Sequence, residues 1–267
     1  MRVAVYGLDG VVSGGVDLPR VFETDTRPDV IHKVYVNLDS HRFQPQGRHP
    51  TAGMDVVARS GDPPTGRGTS RIAKMLGGGG GRQGQAGGVA SVRGGRQAHP
   101  PRSNKVIWKR VNKKENRLAL CSAIAYTTHM DAILKRGHKI GSLNKFPIIL
   151  DSSIESVDTT KGLVDVLRRL DLLGDMERLK SRKGRTGKSA LRGRGKKVGK
   201  SILFVVSGDV PLKKASGSLP GIDVVPARDL SVLDLAPGAD PARLTIYSQG
   251  ALEEISKFSC KQLEIAQ

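Results

Sequence analysis

Ser201-Ile202-Leu203-Phe204-Val205-Val206-Ser207 is the stretch whose reading decides the fold. Five consecutive apolar residues, β-branched or aromatic in the main and bounded by serines, have the length of a strand covered on both faces. Pro147-Ile148-Ile149-Leu150 is a second buried-type strand. Helical spacing appears between and around these runs. Thr160–Leu173 turns Leu163, Val166, Leu167 and Leu170 inward, and Pro28–Ser40 aligns Ile31, Val34, Tyr35 and Leu38 with Pro28 in the first turn. Asn112 and Glu115 have capping-box spacing and open a helix with Leu118, Cys121, Ala125 and Thr128 on one face. Lys135 and Arg136 suit its end, and Gly137 its left-handed cap. Arg2–Tyr6, Asp223–Val225 and Leu244–Tyr247 read as further strands, and Ala251–Phe258 as a closing helix. Strands alternating with helices predict an α/β fold: a mainly parallel sheet with helices on both faces.

The chain has 267 residues, 44 Lys and Arg against 25 Asp and Glu, and a formal charge of +19. Its 37% hydrophobic content is enough for a real core. No apolar run approaches the roughly 18 residues that span a bilayer, so no membrane partner is expected. The opening MRVAVYGLDG meets a charge at Asp9 and has no signal-peptide core. Two cysteines, Cys121 and Cys260, make neither a disulfide framework nor a zinc site and suit a reducing compartment. A cytoplasmic protein is expected.

The placement of the charge says more than its total. Segment 41–112 holds thirteen Lys and Arg against two acids, and segment 178–200 holds eleven against none. The rest of the chain is close to neutral, with 20 basic and 23 acidic residues. Such segregation is the footprint of a polyanion partner. Segment 41–112 also contains fifteen glycines, including Gly77 to Gly81 in a row, and no helical or strand period runs through it. It is expected to be a long extended Gly/Arg-rich loop, reaching at most on the order of 100 Å when folded back. The expected organisation is therefore a globular body of residues 1–40 and 113–267, with a basic insertion at 178–200 and an extended loop at 41–112.

Catalytic signatures fail on inspection. Gly187-Lys188-Ser189 resembles the end of a phosphate-binding loop, but Arg182 stands where that loop needs glycine. Gly79-x-Gly81-x-x-Gly84 matches a dinucleotide fingerprint only formally, inside a glycine run with no clear helix after it. There is no nucleophile elbow and no paired-histidine zinc helix. His41 and His49 lie among arginines, a poor site for a metal cation. His129 and His138 are expected at the end and exit of a helix, and Cys121 as a buried structural thiol. Asp9, Asp17, Glu23, Asp25 and Asp29 read as a solvated acidic face. No cofactor is called for.

Nucleic acid fits the pattern better. Gly66-Arg67-Gly68, Arg93-Gly94-Gly95-Arg96 and Arg192-Gly193-Arg194-Gly195-Lys196-Lys197 let backbone approach phosphates while Arg forks onto their oxygens. The candidate contacts in the first segment are Arg42, Arg48, Arg59, Arg67, Arg71, Lys74, Arg82, Arg93, Arg96, His99, Arg102, Lys105, Lys109 and Arg110. Lys113 and Lys114 follow it, and the second segment adds Arg182, Lys183, Arg185, Lys188, Arg192, Arg194, Lys196 and Lys197. Trp108 either stacks on an unpaired base or forms a small local core. Aromatic residues are only 4% of the chain, which argues against a stacking platform. Recognition of RNA shape and backbone is the reading that remains. An RNA-modifying or RNA-processing enzyme with basic arms is the alternative, and a free RNA chaperone a third.

Several motifs in order carry a specific resemblance. Thr65-Gly66-Arg67-Gly68, Arg71-Ile72-Ala73-Lys74, the glycine run, Arg82-Gln83-Gly84-Gln85 and Arg93-Gly94-Gly95-Arg96-Gln97-Ala98-His99-Pro100-Pro101 resemble the long loop of the universal large-subunit ribosomal protein "L four" family. Arg110-Val111-Asn112-Lys113-Lys114-Glu115 is similar to the start of the helix after that loop, and Asp234-Leu235-Ala236-Pro237-Gly238 with Arg243–Tyr247 to the family's closing strand. Val5–Gly10 and Asp17-Leu18-Pro19 also fit, and the likeness is to the archaeal/eukaryotic-type branch. The resemblance implies a structural rRNA-binding protein and not an enzyme. It implies neighbouring large-subunit proteins as partners and a loop that penetrates rRNA. The tip of that loop would help line the polypeptide exit tunnel and meet the nascent chain. Arg71, Lys74, Met75 and Arg82 are then the tunnel-facing candidates. Around them Ala73 stands where the branch often has proline, and Leu76 where it often has arginine.

Overall fold

The computed structural model describes residues 1–260 except 77–80, 82, 142, 144 and 196–198. The chain divides into two compact units, residues 1–40 with 109–267 and residues 41–108. In chain order the strands are β1 (Arg2–Tyr6), β2 (Val12–Asp17), β3 (Ala58–Arg59), β4 (Lys74–Met75), β5 (Ile148–Leu150), β6 (Leu203–Val206), β7 (Asp223–Pro226) and β8 (Thr245–Ser248). The helices are α1 (Pro28–Asp39), α2 (Lys113–Tyr126), α3 (Met130–Lys135), α4 (Thr160–Arg169), α5 (Leu173–Lys180), α6 (Leu212–Ser216), α7 (Val232–Leu235) and α8 (Gln249–Ser256).

Among the described residues the first unit is built on a six-stranded sheet of order β2-β1-β5-β8-β6-β7. Neighbours from β1 to β7 run parallel; β2 pairs antiparallel with β1 at the edge. Strand alternation sends successive side chains to opposite faces. Val3, Val5, Ile149, Leu203, Val205 and Tyr247 enter one core, where residues of α1, α2, α7 and α8 cover them. Ile148, Leu150, Phe204, Val206 and Ile246 enter the other, under α3, α4, α5 and α6. All four residues of β6 are buried, which explains the unbroken apolar run that marks it. Tyr247 packs edge-on against Phe22 at 5.4 Å, and its buried hydroxyl meets Thr127 Oγ1 at 3.1 Å.

The structure departs from the pattern-based reading at identifiable places. β2 was not expected: Val12–Asp17 contains Gly14 and Gly15, is largely exposed and shows no apolar alternation. The helix expected from Asn112 to Arg136 is two helices. Thr127 and Thr128 each return a hydroxyl to the helix carbonyls at 2.7 Å, on Ile124 and Ala125, and His129 takes an extended conformation before α3. Asn112 stands at the N-cap without a side-chain cap bond, and Glu115 pairs with Lys33 of α1 at 2.8 Å. The helix starting at Thr160 stops at Arg169, Asp171 turns with φ 56°, and α5 follows.

One buried polar network joins the layers. Asp175 of α5 has no exposed surface. Its carboxylate accepts bonds from His138 Nδ1 at 3.1 Å, Lys139 N–H at 3.1 Å, Ser201 Oγ at 2.5 Å and Arg178 Nε at 3.0 Å. Burial opposes its ionisation, but the bonds from His138 and Ser201 outweigh burial and hold the carboxyl well below the usual range. Arg243, equally buried, donates to the carbonyls of Ser201 (2.7 Å), Asp234 (3.1 Å) and Gly221 (3.0 Å) and to Asp223 Oδ2 at 2.6 Å. A buried charge held this way is costly to break from one side, and Asp175→Asn is expected to lower stability by about 3–5 kcal/mol. The folded pKa of Asp175 lies below its ordinary value of 3.8. Its contribution is therefore complete above that pH and fades as pH falls through it. Urea midpoints measured across pH should drop on acidification more steeply for the wild-type chain than for Asp175→Asn.

Candidate nucleic-acid interface

The second basic segment is anchored by this network at both of its ends. Arg178 binds Asp175 and also donates to the Lys200 carbonyl at 3.4 Å; Lys200 Nζ binds Asp223 at 2.7 Å. Gly221 seats the return: its φ is +78°, and a Cβ there would lie 2.6 Å from the Gly199 carbonyl oxygen and collide with Leu179. Arg178 and Lys200 are therefore structural members of the body. Between them, Arg182, Lys183, Arg185, Lys188, Arg192 and Arg194 are all exposed. Arg185 N–H meets the Gly195 carbonyl at 2.8 Å and closes a small loop, with a helical turn at Ala190–Arg194 and Leu191 86% exposed at its tip. Among the described residues no ion pair involves these six cations. Lys196 and Lys197 lie outside the described residues.

The first basic segment leaves the body at Ser40 and returns at Lys109, whose N–H donates to Ser40 Oγ at 3.0 Å. Lys109, Arg110, Lys113 and Lys114 belong to the first unit and are exposed. Within the second unit the outgoing and returning legs meet repeatedly. Gly47 lies against Ser103, and Gly53, with φ +80°, against the backbone of Gly95 and Arg96. β3 and β4 form a short antiparallel ladder, extended by Met75 N–H to the Gln85 carbonyl at 2.8 Å and Gly87 N–H to the Ala73 carbonyl at 3.0 Å. Arg42, Arg59, Arg67, Arg71, Arg93, Arg96, His99, Arg102 and Lys105 are exposed; Arg48 and Lys74 are half-buried. Arg48 turns onto the Ala52 carbonyl at 3.2 Å, and Arg71 lies 3.5 Å from Asp62. Met75 is half-buried against Gly87. Arg82, with Gly77–Gly80 of the glycine run, lies outside the described residues. Trp108 is no core residue: it is 61% exposed, and its indole N–H donates to the Phe43 carbonyl at 3.3 Å.

Parallel α/β sheets bind ligands outside the carboxyl ends of their strands. Here Glu155 fills that place. Its carboxylate accepts from Ser207 N–H (2.8 Å), Ser207 Oγ (2.6 Å) and Ser248 Oγ (2.5 Å), the residues that follow β6 and end β8. These bonds outweigh partial burial and keep the carboxyl below its usual range. Glu155 thus clamps two strand ends, with both oxygens engaged. Cys121 is buried and reduced, its thiol pushed up to about 12 by burial and then by neighbouring Cys260, which suits a structural role. His138 lies at the exit of α3, as read, and is also the buried partner of Asp175. No cluster able to hold a metal occurs among the described residues.

An α/β scaffold whose strand-end carboxylate, Glu155, is engaged by Ser207 and Ser248, and which carries exposed cations on two segments, has the charge layout of a protein that meets a polyanion. Comparison with known proteins gives the family. The model of the "Ribosomal protein L4/L1 family" matches residues 16–258, and the chain belongs to that family. It is 40% identical over 260 residues to the large ribosomal subunit protein uL4 of Methanococcus aeolicus, covering 96% of this chain and 99% of that one. It is 39% identical to the uL4 protein of Methanocaldococcus jannaschii over 258 residues (96% and 99%), and 37% identical to that of Thermoplasma acidophilum over 259 (96% and 98%). The family is one of ribosomal proteins, so the enzyme alternative falls.

Because Lys183, Arg185, Arg192 and Arg194 are exposed, replacing all four by Gln should change stability little. It should weaken binding to large-subunit rRNA and lower the slope of log affinity against log salt by roughly 3. A filter-binding salt titration beside a thermal melt measures both.

Proposed function

We propose that this chain is a structural constituent of the large ribosomal subunit that binds large-subunit rRNA through its two cationic segments. The observation that carries the reading is the match to uL4 relatives over nearly the full length of both partners, combined with cations that the body leaves exposed. Residues 1–40 and 113–267 are the globular body. Residues 41–112 are the extended part that penetrates rRNA, and 178–200 is a clamp held at its base by Asp175 and Asp223. The tip of the long segment forms part of the polypeptide exit tunnel wall and meets the nascent chain, with Arg71, Lys74, Met75 and Arg82 as the tunnel-facing residues. Neighbouring large-subunit proteins are its other partners, and the ribosome in the cytoplasm is its location. Among the described residues no helix is long and apolar enough to cross a membrane.

The charge physics supports this reading. The second unit carries many cations and few acids, so its parts repel one another. A polyanion relieves that repulsion and releases counterions, and about ten phosphate contacts give a steep dependence of affinity on salt.

Sucrose-gradient fractionation of lysate, before and after a high-salt wash, tests the proposal. Stoichiometric and salt-resistant presence in the large subunit is expected. Confinement to light fractions, or loss in the wash, would remove the ribosomal reading and restore the free RNA chaperone.

A further inference from the structure

Within the second unit the two legs line an open cavity of about 750 Å³. That is the size of a small-molecule site. Three chemistries meet in it. Phe43 on the outgoing leg and Pro101 and Ile107 on the returning leg line it, so part of its wall is apolar and planar. Gln46 and Asn104 add side-chain amides, each able to donate and accept hydrogen bonds. Arg102 and Lys105 add positive charge, and no carboxylate lines the cavity.

Phe43 is 59% exposed and lines this cavity, so its ring is open to a ligand there. Its backbone is nevertheless fixed, because Trp108 donates its indole N–H to the Phe43 carbonyl across the two legs. The ring is thus presented at the cavity by a chain that is tied in place. A ligand matching these features is flat, carries hydrogen-bonding edges and is joined to negative charge. An unstacked nucleotide has all three: its base stacks on aromatic and apolar faces, amides read its edge, and cations take the flanking phosphates.

We propose that this cavity receives a single unstacked base of large-subunit rRNA, with Phe43 stacking on the base, Gln46 and Asn104 on its edge, and Arg102 and Lys105 on the adjoining phosphates. The inference rests on the rRNA-binding reading above and adds to it a base-specific contact. Trp108 acts here as a positioning residue for Phe43.

Full-length chain and transcribed large-subunit rRNA test it by salt-dependent binding. Phe43→Ala should weaken binding roughly tenfold with the salt slope unchanged, because stacking releases no counterions. Phe43→Tyr, which keeps the ring, should bind as the wild-type chain does. Arg102→Gln with Lys105→Gln should lower the slope by between about 1 and 2. In assembled subunits, ultraviolet cross-linking followed by nuclease and trypsin should leave a nucleotide on the peptide Phe43–Arg48. Unchanged affinity of Phe43→Ala, a changed slope in that variant, or equal losses in the Ala and Tyr variants would overturn the base pocket while rRNA binding stood. Failure of the wild-type chain to bind the rRNA would overturn the ribosomal reading and the pocket with it.

Discussion

Asp175 places a carboxylate in the interior, and the arrangement of the body around it follows from keeping that charge satisfied. An ionised group without water must be given hydrogen bonds from several directions. His138, Lys139, Ser201 and Arg178 supply them, from the end of α3, the approach to β6 and the helix α5 itself. Arg243 extends the set to the approach of β8 and to β7 through Asp223. Five elements are therefore fixed relative to one another by directional contacts as well as by non-directional burial. The mouth of the second basic segment lies in this network, since Arg178 and Lys200 are its two rims.

That location answers a physical difficulty. A segment of eleven cations with no acids carries no internal charge compensation. It needs a neutral body that spends acids at its base and leaves its tip uncompensated. Asp175 and Asp223 are those acids, and the exposed Arg and Lys beyond them are what a phosphate backbone would meet. The first segment uses a different device: its legs pair with each other through tight glycine contacts and a short ladder, so backbone supplies the order while most of its cations stay outside. In both, glycine allows close approach of chain to chain, at Gly221 and at Gly53.

Much of the fold was legible because parallel strands are covered on both faces and show as plain apolar runs. β5, β6, β7 and β8 fall where those runs fall, and α1 and α4 follow their helical spacing. What escaped reading lacks such a signal. β2 is a largely exposed edge strand with two glycines, held mainly by backbone pairing to β1, with Val16 its one side chain packed on the core. The break at Thr127 comes from hydroxyls competing for helix carbonyls, which a period of apolar residues does not reveal. His138 and Asp175 are 37 residues apart and each is unremarkable in its own neighbourhood. Trp108, left open between base stacking and a local core, is exposed and spends its indole N–H on Phe43.

The amino-acid sequence alone determined the class of fold, the division of charge between a neutral body and two cationic segments, and the family resemblance that the comparisons bear out. These properties are local or additive: hydropathy period, residue counts and ordered motifs survive without coordinates. Only the tertiary structure decided which cations are structural and which are exposed. Arg178, Lys200 and Arg243 are spent on buried or partly buried carboxylates, whereas Arg185 and Arg192 remain outside. It alone brought Phe43 and Ile107, at opposite ends of a long insertion, to one cavity. The reason is that an ion pair or a stacking surface depends on distance and burial, which are set by packing between segments remote in the chain.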